Sequence, residues 1–206
     1  MQAGSQNISG KMEEYRMIEF TYKIKNLMDE LKKNNHETYY HCLRVKKIVN
    51  TMVLRLNDDG ITFYTPEEID YICKGAFLHD IGKLYVRNFV LTKEDKLDTM
   101  ETEEIHRHPE VGYDAIADEL HDDEREIVRN ICLYHHERID GNGYHKLKDV
   151  PVYVQLVSVA DVFEALTADR PYHNAVSEEK AIKMIEEGAC GKFDPRIVDS
   201  LKRAVK

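Results

Sequence analysis

The sequence predicts a single all-α domain: a compact multi-helix bundle with a metal site in its core. Three observations predict it. Apolar residues recur at three- and four-residue steps through most of the long segments. Helix-start signals punctuate the chain. Histidines and carboxylates gather on or beside the predicted helices. At 206 residues, 42% hydrophobic and 33% charged, the chain is long enough to bury one core and too apolar to be disordered.

The first helix carries Met17, Phe20, Ile24, Leu27, Met28 and Leu31 on one stripe. A second runs from about His36 to Leu56, with Leu43, Ile48, Val49, Met52, Val53 and Leu56 on one side, until Asp58-Asp59-Gly60 breaks it. Thr65-Pro66-Glu67-Glu68 is a capped start, with Thr as the cap, Pro in first position and Glu three residues after the cap. That helix runs through Ile69, Ile72, Cys73 and Ala76 into His79-Asp80. Residues 81–101 are less regular and read as a long active-site loop with short helical turns. A helix follows Pro109, and another spans about Asp123 to Glu137. Asp140-Gly141-Asn142-Gly143 is a turn-rich loop. Pro151 opens a helix through Asp161 and Leu166, Ser177 caps one ending near Gly188, and Asp194-Pro195 starts the last. Length priors put the total at about seven to nine helices. Residues 1–11, polar and without an apolar signal core, read as a disordered lead before a domain at 12–206.

Composition excludes several classes. The net charge of −9 disfavours long nucleic acid, which needs clustered Lys and Arg. A small phosphate ester remains compatible, because a metal cluster supplies local positive charge. No apolar run approaches the roughly 18 residues of a membrane span, and with no export signal the expected location is the cytoplasm. Cys42, Cys73, Cys132 and Cys190 form no C-x-x-C pair and read as reduced core or near-core thiols.

The chemistry lies in the histidines and acids. Glu37 and His41 are four apart, so they share one helical face and can point at one metal. His79-Asp80 and His135-His136 are adjacent pairs; on a helix neighbours diverge by about 100°, so each pair can serve two ions. His108 stands before Pro109 at a helix start, and Asp161 lies within an apolar helix, where an unpaired carboxylate is costly. Taken singly, each residue reads as a hydrogen-bonded structural group or a solvated face. Together, two adjacent doublets and a buried Asp are hard to explain by packing. Imidazole mixed with carboxylate, without thiolate, suits Fe, Mn, Ni, Co or Zn, with Fe or Mn preferred. A bridging carboxylate fits two ions about 3.5–4 Å apart.

These residues fall in stretches that resemble the HD-domain metal-dependent phosphohydrolases, and within them the HD-GYP subfamily, which hydrolyses cyclic di-GMP. The stretches are HCLRV at 41–45, HDIGK at 79–83, HPEVG at 108–112, HHERIDGNGY at 135–144, DVFEALTADRPY at 161–172 and FDPRIV at 193–198. The resemblance spans roughly His36 to Val198 and implies an HD-domain helical bundle. It implies metal ligands at His41, His79, Asp80, His108, His135, His136 and Asp161, with Asp80 bridging. It implies an extra ligand at Glu37 in members with three metals. Lys83 looks like the family lysine that faces the substrate phosphate, and Arg170 like the residue that contacts a phosphate after the final Asp. Asp140 and Tyr144 lie on the signature loop near the expected substrate. The sequence departs from the subfamily at His145, where Pro is usual, at Lys146-Leu147-Lys148, and at His173-Asn174, where a basic pair is common. His36, His106 and His121 match no ligand and read as solvent-facing.

The implied reaction is hydrolysis of a phosphodiester by a hydroxide bridging two or three divalent transition metals, with Asp80 and Lys83 as catalytic residues. Cyclic di-GMP or a related cyclic dinucleotide is the expected substrate. Substrate choice is expected from the rim, Tyr144, His145, Lys146, Arg170 and His173, with Tyr144 stacking on a base. Two other readings stand beside it: a phosphohydrolase of another nucleotide or a phosphomonoester, and a non-catalytic module that senses a nucleotide. A signalling-protein partner or a homodimer fits either.

Overall fold

A computed structural model describes residues 19–169 and 175–206. The expected lead at 1–11, the expected helix start at Met17, and Arg170 and His173 lie outside those residues. Among the described residues there are ten α-helices and no strand: α1 (Tyr22–Asn34), α2 (His36–Asp58), α3 (Pro66–Leu78), α4 (Asn88–Leu91), α5 (Thr99–His106), α6 (His108–Ile116), α7 (Asp122–Tyr134), α8 (Val152–Thr167), α9 (Glu178–Glu186) and α10 (Pro195–Ala204). The all-α expectation holds. The count exceeds it because α4 and α5 arise within or just beyond the stretch that reads as irregular in the sequence.

Local chemistry explains the boundaries. Thr21 caps α1 with its hydroxyl accepting from Ile24 N–H, so Phe20 falls before the helix rather than inside it, and its ring packs on Phe77 at 5.7 Å. Thr65 and Glu68 form the reciprocal capping box anticipated for α3. α5 has no apolar stripe to betray it, but Asp98 and Glu101 cap it: each carboxylate accepts from the other residue's N–H at 2.8 Å. α7 stops at Tyr134, short of the expected Glu137.

Two helices are apolar nearly all round and are therefore enclosed by the others. Residues 72–78 of α3 are all buried, as are residues 154–160 of α8. The larger core joins α2, α3, α8 and α10 through Val49, Met52, Leu56, Ile72, Leu156 and Leu201. A smaller core joins α1, α3 and α7 through Ile24, Leu31, Leu78, Val128 and Cys132. Lys74 and Glu124, both buried, pair at 2.6 Å between α3 and α7.

The segment after α3 sets the centre of the molecule. A short 3-10 turn, Ile81–Tyr85, packs its backbone directly on the start of α6. A Cβ on Gly82 would sit 1.9 Å from the His108 carbonyl oxygen and 2.8 Å from Gly112 N. Only glycine allows that approach, because both neighbours are backbone atoms that cannot swing away. The sequence HDIGK thus delivers His79 and Asp80 to within reach of His108. Gly82→Ala is expected to destabilise the fold by about 3 kcal/mol, the upper end for overpacking, read as a lower urea midpoint. Gly60→Ala, with φ +67° and open space around it, should cost only about 1 kcal/mol.

Candidate metal centre

Five elements converge on one buried point. His41 comes from the first turns of α2, His79 and Asp80 from the end of α3, His108 from the first residue of α6, His135 and His136 from the end of α7, and Asp161 from the middle of α8. His79 and His135 are C-cap residues, and Asp80 precedes the 3-10 turn. Both doublets therefore lie at helix ends, as expected for His79-Asp80, whereas His135-His136 follows α7 rather than lying within a helix that runs to Glu137. The carbonyl ends of α3 and α7 carry partial negative charge and favour a cation there.

Backbone carbonyls fix the imidazole orientation. His79 Nδ1 donates to Ala76 O at 2.8 Å, His108 Nδ1 to Ile105 O at 2.6 Å, and His135 Nδ1 to Cys132 O at 2.9 Å. In the neutral ring each Nε2 is then a bare lone pair, and all three point inward. They meet more acceptors. His108 Nε2 lies 3.3 Å from both His135 Nε2 and His136 Nε2. Asp80 stands between two groups: its Oδ1 is 3.2 Å from His108 Nε2 and 3.9 Å from His135 Nε2, and its Oδ2 is 3.7 Å from His41 Nε2 and 3.5 Å from His79 Nε2. His41 Nε2 is 3.0 Å from Asp161 Oδ1. Among the described residues, His108, His135 and His136 form one set with ligand atoms within 4.8 Å of one another, and His41, His79 and Asp161 form another. His135 and His136 thus belong to one set rather than to one each. His79 Nε2 and Asp80 Oδ1 are buried without a hydrogen-bond partner. Acceptors facing acceptors around orphaned atoms are what a divalent cation resolves, so the residues fit the metals that the sequence implied.

Charge is distributed to match. Burial pushes the Asp80 carboxyl up, but Lys83 and His79 outweigh it and hold it well below the usual carboxylate range. Burial likewise opposes ionisation of Asp161, and His41 and His79 overcome it. Burial disfavours a proton on His135, and His136, His79 and His108 depress it further. Burial and His108 bring His136 down to about 3. His79 differs: burial works against its imidazolium, yet the Asp80 carboxylate holds its pKa well above the usual value.

Around this centre lie the other predicted residues. Lys83 Nζ donates to Asp80 Oδ2 at 2.6 Å, so it faces the candidate bridging carboxylate. Glu37 is in neither set of mutually close ligands; it lines a cavity of about 180 Å³ with Thr38, His41, Lys83 and Thr92. Asp140 accepts from Asn142 N–H and from Lys192 N–H, each at 3.2 Å, tying the signature loop to the segment before α10. It also lines a cleft of about 340 Å³ with His136, Arg138, Tyr144 and Cys190. Tyr144 is stacked on His136, with ring centroids 4.4 Å apart. His145 faces Glu110 at 3.4 Å.

Two side chains beside the candidate centre, Glu164 and Glu137, escaped the sequence reading. Glu164, buried, accepts from His41 Nδ1 and from Arg44 Nε. Burial raises its carboxyl pKa, but His41 and Arg44 bring it down to about 2. The signal was its place three residues after Asp161 in an apolar helix, on the same face. Glu137, also buried, accepts from His145 N–H at 2.7 Å and Leu147 N–H at 2.8 Å and so shapes the signature loop. Cys42, expected as a core thiol, is buried beside His79 and Asp80, and burial pushes its pKa up.

An all-helical domain whose helix ends deliver imidazoles and carboxylates to one buried point defines a protein built around a metal-ligand centre of the His/Asp type. The chain belongs to the HD domain family, whose profile matches residues 38–166. It is 35% identical over 175 residues to a cyclic di-GMP phosphodiesterase of Vibrio cholerae, covering 81% of this chain and 36% of that protein. It is 33% identical over 138 residues to the 3'3'-cGAMP-specific phosphodiesterase 3 of the same organism, covering 66% of this chain and 29% of that one. The chain thus spans about a third of the length of these relatives. In structure it resembles a HDG"Y"P protein from Bdellovibrio bacteriovorus with TM-score 0.64 and 22% identity, over 82% of this chain and 52% of that one, which supports the fold. The resemblance drawn from the sequence is upheld at the level of family and fold.

Because Glu164 orients a ligand rather than supplying one, Glu164→Gln should weaken metal affinity by about 10- to 100-fold, measured by titration with Mn(II). An unchanged affinity would make Glu164 a packing residue.

Proposed function

We propose that the chain is a metal-dependent phosphodiesterase acting on a cyclic dinucleotide, with cyclic di-GMP the first candidate. The observation that carries this reading is Asp80: its two oxygens face two sets of imidazole and carboxylate ligands from opposite sides. His108, His135 and His136 would hold one divalent ion, His41, His79 and Asp161 the other, and Asp80 would join them. When bound, such a pair supplies Lewis acidity to the phosphoryl oxygens and lowers the pKa of water at neutral pH. Relatives of the same family that carry cyclic dinucleotide phosphodiesterase names support the substrate class.

The chain's own residues complete the site. The Asp80 and Asp161 carboxyls, both held well below the usual carboxylate range by neighbouring cationic groups, face inward. Lys83 Nζ, 2.6 Å from Asp80 Oδ2, can turn its remaining donors to a phosphate oxygen and stabilise charge that builds up there. The α2–α3–α7 walls exclude bulk water, since His79, Asp80, His108 and His135 are each no more than 1% exposed. Glu37, one helical turn before His41 and sharing its cavity with Lys83, is the residue that would recruit a third ion.

Anaerobic reconstitution with Fe(II) or Mn(II) followed by elemental analysis should give at least two ions per chain, and Glu37→Ala should lose any third while keeping the pair. One ion or none would sink the cluster. In a hydrolysis assay Lys83→Ala should lower turnover of cyclic di-GMP by about 10²-fold with metal content retained, because an ammonium cannot ligate a cation. Turnover of phosphomonoesters alone, or nucleotide binding without turnover, would replace the phosphodiesterase reading.

A further inference from the structure

Tyr144 carries an aromatic ring on each side. The His106 imidazole lies at 4.0 Å and the His136 imidazole at 4.4 Å between centroids, each inclined 29° to the phenol ring. The two imidazoles make no ring contact with one another, so they occupy opposite faces. The sequence reading has Tyr144 stacking on a substrate base, yet neither face is open. The inner face cannot be vacated, because His136 belongs to the candidate metal set. The outer face can. His106 is exposed on the last turn of α5, and among the described residues its ring nitrogens make no hydrogen bond; the stack is what holds it.

We propose that His106 holds the place of a purine base on the outer face of Tyr144, which makes it a specificity-determining residue of the cleft. The chemistry matches: imidazole is the five-membered ring of a purine, so a base entering with its phosphate at the metal centre exchanges one flat heterocycle for a larger one. The surroundings permit the exchange. The backbone on either side of Tyr144 is held, because Glu137 accepts from the N–H of the next residue at 2.7 Å and a Cβ on Gly143 would meet Glu137 at 2.4 Å. The helix below His106 is anchored independently, by the Asp98–Glu101 cap and by Glu104 accepting from Arg87 N–H at 2.7 Å, so the imidazole can swing out without unwinding α5. A His106 that must be displaced raises the threshold for weakly stacking ligands and leaves strongly stacking purines favoured.

The inference rests on the cyclic dinucleotide reading, and the experiment separates the two. Metal-loaded wild type, His106→Ala and His106→Trp are compared on cyclic di-GMP. His106→Ala should lower KM by about three- to tenfold, the range of an aromatic stack, with the change in KM rather than kcat and with metal content kept. His106→Trp, a stronger competitor for the same face, should raise KM. An equal or higher KM in His106→Ala overturns the proposal and makes His106 a support for Tyr144 instead. The second readout needs no turnover. In protein labelled with 3-fluorotyrosine, the Tyr144 fluorine signal, identified by its loss in Tyr144→Phe, is followed during titration with GMP. It should move at lower GMP in His106→Ala than in wild type. If wild type hydrolyses no cyclic dinucleotide, the functional reading fails while this titration still decides the stack: a Tyr144 signal that GMP moves no more readily in the variant overturns it.

Discussion

The Asp80 carboxylate is only 1% exposed, and removing a carboxylate from water costs several kcal/mol unless opposite charge replaces the lost hydration. Compensating it organises the middle of the molecule. Lys83 comes from one turn along the same segment, and His79 from the neighbouring residue, so the sequence HDIGK supplies both the charge and its first two partners. The remaining imidazoles arrive from other helices, and in the neutral rings of His108 and His135 carbonyl acceptors have claimed the Nδ1 protons, so their Nε2 lone pairs face inward. A protein centre with this many acceptors and so few donors is incomplete by the ordinary rule that buried polar groups are paired. Divalent cations would complete it, and the fold holds the acceptors in place for them.

Packing and chemistry are linked through glycine. The approach of Gly82 to the His108 carbonyl brings the 3-10 turn against α6, and with it the candidate bridging carboxylate against a ligand 28 residues downstream. Ser158 Oγ, donating to His135 O at 2.6 Å, ties α8 to the end of α7 in the same way, which sets Asp161 opposite the α7 histidines. The second contact uses a backbone carbonyl freed at the C-terminal end of α7, so the helix termination that leaves that carbonyl unpaired also supplies an anchor for the site.

Much of this is legible in the sequence. Amphipathic stripes locate α1 and α2, since each buries a face against neighbours and periodicity reports burial. The capping signals at Thr65 and Ser177 are local chemistry that depends on no distant partner. The candidate ligand residues are legible as types and as motifs. The features that escape depend on three-dimensional placement. α5 lacks a stripe and is set by a cap pair alone. His79-Asp80 and His135-His136 look like helical neighbours, but carbonyl capture of Nδ1 and the end of each helix decide where they point. Glu164 and Glu137 are visible as acids in motifs, yet their roles lie in a partner more than a hundred residues away for one and in loop amides for the other. The His106–Tyr144 stack joins residues 38 apart on a helix end and a loop, and no one-dimensional pattern encodes it.

The acidic composition and the phosphate-binding reading are compatible once distance is considered. A net charge of −9 spread over the surface is screened beyond about 8 Å at physiological ionic strength. Within that range a phosphate at the centre meets Lys83 and whatever cations the ligand sets hold, not the surface average. A small diester brings few charges and can place them all near those cations. A long polyanion cannot: every phosphate beyond the cleft faces the acidic exterior without a partner. The same charge pattern is therefore compatible with the proposed compact nucleotide and disfavours extended nucleic acid, and under the proposed function it would leave discrimination among compact nucleotides to groups that read bases rather than phosphates. In this cleft the rings around Tyr144 are the groups we propose for that role.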